Sequence, residues 1–557
     1  MTEAATEAKG RFERVLGRRG VVPLIIVALL GQMAFAMLAS ARDDAPTYDE
    51  PSHLGGAVAY VELGDLRWSP EHPPLAKLLM GIGLRKGPGI EMPREGPEFA
   101  TFFDFELGRH LLFGENQSPR HVIWWARLPM IALALGWALV VFGFARDVFG
   151  TPAALLSLAL ATLCPNLIAH GRLATTDVTV AGFTILACWF LWRAAHRSAY
   201  WFLPAGIAVG MALASKYTAL FLLPALLLVA AYAASQAYEI PFPFVKAGRR
   251  ALAMIAWPAA VLAVAFFSLW AVYLSIDPSL SYDRPPRATD KEQGILVASA
   301  DLLPAPKPFR EGIKQAINNQ DLRPGFLFGR QYYGGRLDYY PVMLMIKTPV
   351  GTLAIWALGL LGGLFSRRRV EVAVYLLLPP SLLMASAMFS QVNVGIRHVM
   401  VVPLFMAVVG GGALQLRVRL KALIVSALVA ATAVSVWASF PSQIAYANEL
   451  FGGPSNARRV LSDSNVDWGQ DLIRLSEYMR EHHPGEPVWI GYFGQIPTDG
   501  YGLKTFDLTT AEPQEVRGLV ALSASLMNSS GDTFDYVTKG AEPIEVIGHT
   551  ILVFKME

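Results

Sequence analysis

The sequence predicts an α-helical protein that crosses a membrane many times and ends in a small α/β domain. Hydrophobic residues make up 54% of the 557 residues and charged residues only 16%, whereas a soluble domain typically carries about 25% charged residues. Roughly eleven apolar segments reach or approach the ~20 residues that a helix needs to span a bilayer. This composition excludes a soluble enzyme, and the formal net charge of +3 gives no indication of nucleic-acid binding.

The predicted spans account for the region 21–440, after a cytoplasmic tail of residues 1–20. They lie near 21–40, 123–146, 152–170, 176–195, 201–214, 218–235, 251–274, 341–364, 371–389, 396–415 and 421–440. The fifth span is short, and with the sixth it could form a single broken helix. The two cysteines, Cys164 and Cys188, lie in apolar runs, so a disulfide scaffold is excluded.

Lysine and arginine in the short connections predict the orientation, because such residues concentrate on the cytoplasmic side. Five basic clusters fall on that side when eleven spans start in the cytoplasm. The clusters are Lys9, Arg11, Arg14, Arg18 and Arg19; Arg193 and Arg197; Lys246, Arg249 and Arg250; Arg367, Arg368 and Arg369; and Arg417, Arg419 and Lys421. The long connections, about 41–122 and 275–340, then lie outside the plasma membrane. So does the tail, whereas an even number of spans would place it inside.

The first span also has features of a secretory leader. Basic residues precede it, and Ala39-Ser40-Ala41 resembles a signal-peptidase site. Its apolar run of about 20 residues is long for a leader, which favours a retained anchor.

The tail, residues 441–557, differs from the rest of the chain because it contains no further spanning run. Apolar residues recur at helical spacing in 471–481. Short strand-like runs occur at 488–493 and 551–554. These patterns predict a small extracytoplasmic α/β domain.

Carboxylates stand beside predicted span ends on the outer side. Asp49 and Glu50 follow the first span, and Asp177 begins the fourth. Such a group can act as a general base toward a hydroxyl, and the adjacent Asp49 and Glu50 could together hold a divalent cation such as Mg²⁺ or Mn²⁺. Each also has a structural interpretation, either as a solvated residue at a helix start or, for Asp177, as a partner of Arg172.

Cationic and aromatic side chains share that predicted side. The turn Glu71-His72-Pro73-Pro74 is held rigid by its prolines. The remaining candidates for substrate binding are Arg127, Arg172, Lys216, Arg397, His398 and Tyr339. Cations here can bind a lipid-linked phosphate, and tyrosines can pack on a sugar ring. The alternatives are snorkelling to lipid headgroups, a structural turn, and an aromatic interface belt.

The shared side of these groups favours a membrane-embedded transferase that uses a lipid-anchored phosphate donor. A carboxylate would activate a hydroxyl, and cations would stabilise the departing phosphate. A transporter or flippase for a lipid-linked sugar is the main alternative, but it should show polar residues at mid-membrane and related halves. A non-catalytic scaffold would not explain charges concentrated between the spans.

Several motifs resemble a known family. The segment from Tyr48 to Leu79, with Asp49-Glu50 and His72-Pro73-Pro74-Leu75-Ala76-Lys77, resembles the first luminal loop of protein O-mannosyltransferases. Further resemblance lies in 172–177, Tyr339-Tyr340-Pro341, Lys347-Thr348-Pro349, 393–398 and the bacterial tail motif 463–472. The family is glycosyltransferase family 39 of the GT-C fold class, which includes the aminoarabinose transferases, and the resemblance covers about 20–480.

This resemblance implies an inverting transfer of mannose or a similar hexose from a polyprenyl-phosphate donor on the outer side of the membrane. It implies that Asp49 is the general base, that Glu50 orients a substrate, that His72 lines the site and that Arg127 faces the donor phosphate. Asp177 matches an acidic position that helps hold a metal in aminoarabinose-type members, so the resemblance implies Asp49 and Asp177 as the pair that would bind a divalent cation. Glu71-His72 departs from their Glu-Lys pair, which disfavours an aminoarabinose donor. The acceptor hydroxyl could belong to a protein Ser or Thr, a glycolipid or a cell-wall glycan.

Overall fold

The computed structural model describes residues 20–114, 117–237, 250–283, 294–318 and 323–557. Residues 1–19, with the first basic cluster and nearly all of the predicted cytoplasmic tail, lie outside the described residues. Lys246 and Arg249 of the third cluster also lie outside them.

The described chain is mostly helical. Its helices are α1 Val21–Asp43, α2 Glu50–Val58, α3 Leu75–Lys86, α4 Asp104–Phe113, α5 Pro119–Phe149, α6 Thr151–Thr162, α7 Pro165–Gly171, α8 Asp177–His196, α9 Phe202–Leu213, α10 Ala219–Gln236, α11 Arg250–Leu274, α12 Ile295–Ser299, α13 Lys307–Asn318, α14 Tyr339–Lys347, α15 Val350–Leu364, α16 Arg369–Met388, α17 Val401–Gly411, α18 Lys421–Ala438, α19 Pro454–Val460, α20 Leu472–His482, α21 Ala524–Ser529 and α22 Asp535–Thr538.

Each of the eleven predicted spans coincides with apolar helix. Within the described residues, seven helices are long and apolar enough to cross a membrane, and two bent pairs bring the number to nine. The fifth and tenth predicted spans correspond to the shorter helices Ala199–Leu213 and Val401–Gln415. The protein is therefore a multi-pass membrane protein, and the count of eleven stays a prediction.

The third and eighth predicted spans are broken rather than straight. The axis bends by 58° between α6 and α7 and by 114° between α14 and α15. Proline begins the second half of one pair (Pro165) and directly precedes that of the other (Pro349), where it disfavours helix at the preceding residue. The two breaks contact each other: the side-chain Nδ2 of Asn166 donates a 2.7 Å hydrogen bond to the backbone carbonyl of Lys347.

The tail contains the expected α/β domain. The strands are β1 Pro324–Leu327, β2 Arg330–Tyr333, β3 Val488–Gly491, β4 Thr505–Asp507, β5 Gly518–Ser523, β6 Glu545–Ile547 and β7 Ile551–Met556. Strands β1 and β2 form a hairpin in the second long connection. The others form one sheet in the order β4-β3-β5-β7-β6, with β3 parallel to β4 and β5 and with β7 antiparallel to β5 and β6. The helix and both strands predicted from the sequence are confirmed.

The tail packs directly on the loop after α1. The Tyr48 amide donates to the Trp468 carbonyl at 2.9 Å, and the Ala45 amide donates to the Gln470 carbonyl at 2.8 Å. The segment 45–48 is thus held by the tail motif that precedes α20.

Candidate active site

Helix α2 places Asp49 and Glu50 because it begins between them, with Asp49 at its cap and Pro51 in its first turn, a position that proline tolerates. The helix lies unusually close to α4. A Cβ at Gly55 or Gly108 would overlap a backbone oxygen of the opposite helix. Close backbone packing therefore fixes where the two acidic residues stand.

Glu50 and Arg127 form a sealed ion pair, with neither side chain exposed. The guanidinium donates to both Glu50 oxygens at 2.8 and 2.6 Å. Its other donors reach the backbone carbonyls of Ala41, Asp44 and Ala45 at 2.9 Å. The Arg127 donors are thus all engaged by protein groups, and the backbone amide of Ala174 also donates to Glu50.

Arg172 is sealed in the same manner. It donates to Asp44 at 2.7 and 2.9 Å and to Gln443 at 3.0 Å. Asp44 also pairs at 3.0 Å with Arg474 of helix α20. The expected partner of Arg172, Asp177, lies elsewhere, so Arg172 joins the first loop to the tail instead.

Asp49 and Asp177 belong to a different, alternating row of charges. Arg397 donates to Asp49 at 2.5 Å and lies 4.0 Å from Asp177, which accepts from Lys216 at 2.5 Å. The Asp49 side chain is 24% exposed, whereas that of Asp177 is 2% exposed. The structure therefore brings four predicted site residues together, and Asp49 is the open carboxylate of the row.

A cleft of about 190 Å³ contains the exposed edge of this row. Its walls come from the first loop, the β1 strand, the segment before α17, the tail motif and helix α21. The lining residues are Tyr48, Asp49, Arg323, Pro324, Phe326, Tyr339, Asn393, Arg397, Ser462, Asp463, Trp468, Phe493, Ser525, Asn528 and Ser529. Tyr339 is among them, although its hydroxyl is bound by Asn465 at 2.9 Å.

Electrostatics in the cleft favour an ionised Asp49. Burial opposes the charged carboxylate, but the charge of Arg397 outweighs this effect, so the pKa of Asp49 lies below its ordinary value. Arg397 is also held over the Trp468 ring, with the guanidinium carbon 4.3 Å from the ring centre. The Nε atom of Arg397 is buried and has no hydrogen-bond partner among the described residues.

The proline turn lies next to this row. The His72 ring centre lies 5.5 Å from that of His53, and burial, then the charge of Lys77, lowers the pKa of His53 to about 3. Lys77 is buried on the oxygens of Ser69 and the His72 carbonyl. Glu71 is exposed at the edge of the turn, and His398 is half-buried next to Arg397 in the chain.

The predicted metal pair does not fit a cation well. Arg397 already stands between Asp49 and Asp177, where a metal ion would have to bind. No group of three or more His, Cys, Asp or Glu residues is placed to hold a metal ion in the part of the chain that the structure describes.

One family model matches part of the membrane-spanning region. Residues 119–273 match the model of a family described as dolichyl-phosphate-mannose-protein mannosyltransferase. The resemblance to glycosyltransferase family 39 is confirmed. The match supports a membrane glycosyltransferase that depends on a sugar carried by a lipid phosphate.

Solved structures similar to this family 39-like chain include three membrane transferases. ArnT from Cupriavidus metallidurans bound to undecaprenyl phosphate is 13% identical with a TM-score of 0.49, over 97% of this chain and 98% of that one. The S. cerevisiae protein O-mannosyltransferase Pmt1-Pmt2 complex bound to the sugar donor is 18% identical with a TM-score of 0.36, over 57% of this chain and 40% of that one. The Archaeoglobus fulgidus oligosaccharyltransferase in the apo form is 12% identical with a TM-score of 0.44, over 91% of this chain and 70% of that one. No curated protein matches the sequence.

Sequence reasoning assigned no role to several residues of this site. Asp44 pairs with Arg172 and Arg474, while Asp463 and Trp468 face the cleft. Asp463 and Trp468 belong to the tail motif 463–472. This motif is far from Asp49 along the chain, and no sequence pattern indicates that the motif and Asp49 line the same cleft.

Proposed function

We propose that the protein is an inverting glycosyltransferase that moves mannose or a similar hexose from a polyprenyl phosphate to an acceptor hydroxyl on the outer face of the plasma membrane. The observation that carries this proposal is the row Asp49–Arg397–Asp177–Lys216, whose one open carboxylate faces a cleft between membrane helices and tail. A base and a phosphate-binding cation thus stand side by side.

Asp49 is the proposed general base. It stays ionised at neutral pH despite its burial, since Arg397 keeps its pKa below the ordinary value, and its exposed edge can accept a proton from a hydroxyl. Glu50, the neighbouring carboxylate, is enclosed by Arg127 and by two backbone amides. We therefore assign Glu50 and Arg127 to holding the loop that carries Asp49.

Arg397 and Lys216 are the proposed phosphate-binding cations. The free Nε–H of Arg397 offers a hydrogen bond to an anion, and the guanidinium geometry suits phosphate oxygens. As Asp49 takes the proton, the acceptor oxygen attacks the anomeric carbon. The bond from that carbon to the phosphate oxygen breaks, and the lipid phosphate leaves with the electron pair. One displacement inverts the anomeric centre.

The test is turnover of purified protein with undecaprenyl-phosphate mannose, measured as release of undecaprenyl phosphate. Asp49→Asn should lower turnover by about 10²-fold or more, the usual contribution of a general base. Arg397→Ala should weaken donor binding. Asp532→Asn, on the exposed surface of the tail domain, is the matched control. Near wild-type turnover in Asp49→Asn would refute the base assignment, and substrate movement without release of lipid phosphate would favour a transporter.

A further inference from the structure

Asp463 is a half-buried acidic residue that lines the cleft. Asp44, Glu50, Asp49 and Asp177 each pair with an arginine or lysine. Among the described residues, no basic side chain forms an ion pair with Asp463, whose carboxylate accepts only from the adjacent Ser464 amide at 2.5 Å. An unpaired carboxylate that lines a cleft is available to a ligand.

The backbone holds Asp463 in an unusual conformation. Its φ of 57° lies in the left-handed region, which costs free energy for residues other than glycine, although Asp and Asn tolerate it. The Ser525 hydroxyl of helix α21 fixes the Asp463 amide at 2.8 Å. The tail domain therefore determines where this carboxylate points.

Asn393 offers the complementary hydrogen-bonding group. Its carbonyl oxygen accepts from the Tyr332 hydroxyl at 3.1 Å and from the Arg336 amide at 2.9 Å. Its Nδ2 is buried without a partner among the described residues, although the side chain is only 5% exposed and lines the same cleft. An unsatisfied buried donor is costly, and a ligand oxygen would relieve that cost.

The two segments run side by side. The Ser464 hydroxyl donates to the Val394 carbonyl at 2.8 Å, and the Ile396 amide donates to the Asn465 side chain at 3.0 Å. The cleft therefore presents a hydrogen-bond acceptor, Asp463, near a hydrogen-bond donor, Asn393. Neighbouring hydroxyls of a sugar match such a pair because each hydroxyl both donates and accepts.

We propose that Asp463 and Asn393 form the acceptor subsite of the transferase and that they bind the hydroxyls of a carbohydrate acceptor. This inference rests on the proposed function. The half-buried rings of Tyr48 and Phe493 in the cleft wall add apolar surface of the kind that packs on sugar rings. We assign the subsite to the acceptor because Ser525 of the tail domain fixes Asp463, whereas the proposed donor-phosphate cations Arg397 and Lys216 lie at the ends of membrane helices.

The test compares two conservative variants. Asp463→Asn keeps the shape and tolerates the positive φ, while Asn393→Asp keeps the bound carbonyl oxygen and removes the free donor. With undecaprenyl-phosphate mannose as donor and mannobiose as acceptor, Asp463→Asn should raise the acceptor KM about tenfold to a hundredfold. Asn393→Asp should raise it about two- to tenfold. Donor Kd and release of lipid phosphate without acceptor should stay unchanged, as should the melting temperature of Asp463→Asn.

Each of the other possible outcomes refutes a specific part of the proposal. An unchanged mannobiose KM in both variants would refute the subsite, and a weakened donor Kd would reassign it to the donor sugar. Transfer to a threonine-containing hexapeptide but not to mannobiose would refute the carbohydrate class. Failure of the wild-type protein to release lipid phosphate under any condition would instead refute the proposed function. Asp532→Asn serves again as the matched control.

Discussion

At the scale of single residues, the arrangement separates charges that hold the loop from charges that face the cleft. Arg127 is expected from the family resemblance to face the donor phosphate, yet its donors all reach Glu50 and three backbone carbonyls. Asp49 and Arg397, by contrast, line the cleft. Similar residue types thus have different roles because of their burial and partners.

Arg127→Ala tests this division. Removing one partner of a sealed ion pair leaves the other charge unpaired, which typically costs about 3–5 kcal/mol. We therefore expect a lower melting temperature and lower yield in detergent, while the folded fraction keeps its donor Kd. A stable Arg127→Ala protein with weakened donor binding would show instead that Arg127 contacts the phosphate.

At the scale of elements, the position of Asp49 depends on the contact between α2 and α4. Gly55 and Gly108 let the two backbones approach, because a Cβ on either would meet a backbone oxygen. The loop that precedes α2 is also fixed by the Trp468 and Gln470 carbonyls. Asp49, the proposed base, is therefore held from both sides.

Gly108→Ala should separate these helices. Overpacking of this kind costs about 1–3 kcal/mol, and the displacement of α2 should reduce turnover as well as thermal stability. Gly136→Ala in α5 is the matched control, since nothing lies within 4 Å of a Cβ there. Equal melting temperatures and turnover for the two variants would show that the close contact is unimportant.

At the scale of the whole molecule, the tail motif 463–472 is joined to the rest of the tail domain through buried polar groups. Asp467 accepts from the Ser525 amide at 3.0 Å and the Gly469 amide at 3.2 Å. Burial is the largest influence and raises the pKa of Asp467 from 3.8 to about 7. Asp467, at the contact between the tail motif and Ser525, therefore favours its neutral, protonated form more than an ordinary aspartate does.

The stability of this junction should depend on pH. Because the pKa of Asp467 is higher in the folded protein than in the unfolded chain, the stabilisation is complete below about pH 4 and is lost as pH rises through about 7. The melting temperature should therefore fall between pH 5 and pH 8. In Asp467→Asn this contribution should disappear, and an unchanged slope in that variant would contradict the assignment.

The sequence predicted local features better than long-range pairs. Apolar runs located the spans, and strand patterns at 488–493 and 551–554 located β3 and β7, because periodicity is a local signal. The sequence also singled out Asp49, Asp177, Lys216 and Arg397, since charges beside apolar runs are conspicuous.

Pairing could not be predicted in the same way. Asp49 meets Arg397 across 348 residues, and Arg172 joins Asp44 across 128. Only packing of the helices decides whether an arginine is sealed on carbonyls, as Arg127 is, or stands in a cleft. The breaks at Pro165 and Pro349 follow from the local effect of proline. The contact between the two breaks does not follow from it, because that contact depends on how the helices pack.

The contacts of Tyr48 with Trp468 and of Asp463 with Ser525 have a consequence for biosynthesis. The cleft combines residue 48 with residues as late as 529, so the ribosome must finish nearly the whole polypeptide before the walls can close. The nascent chain has no complete cleft while its early helices are already entering the bilayer. The cleft is thus completed only late in the synthesis and folding of this protein.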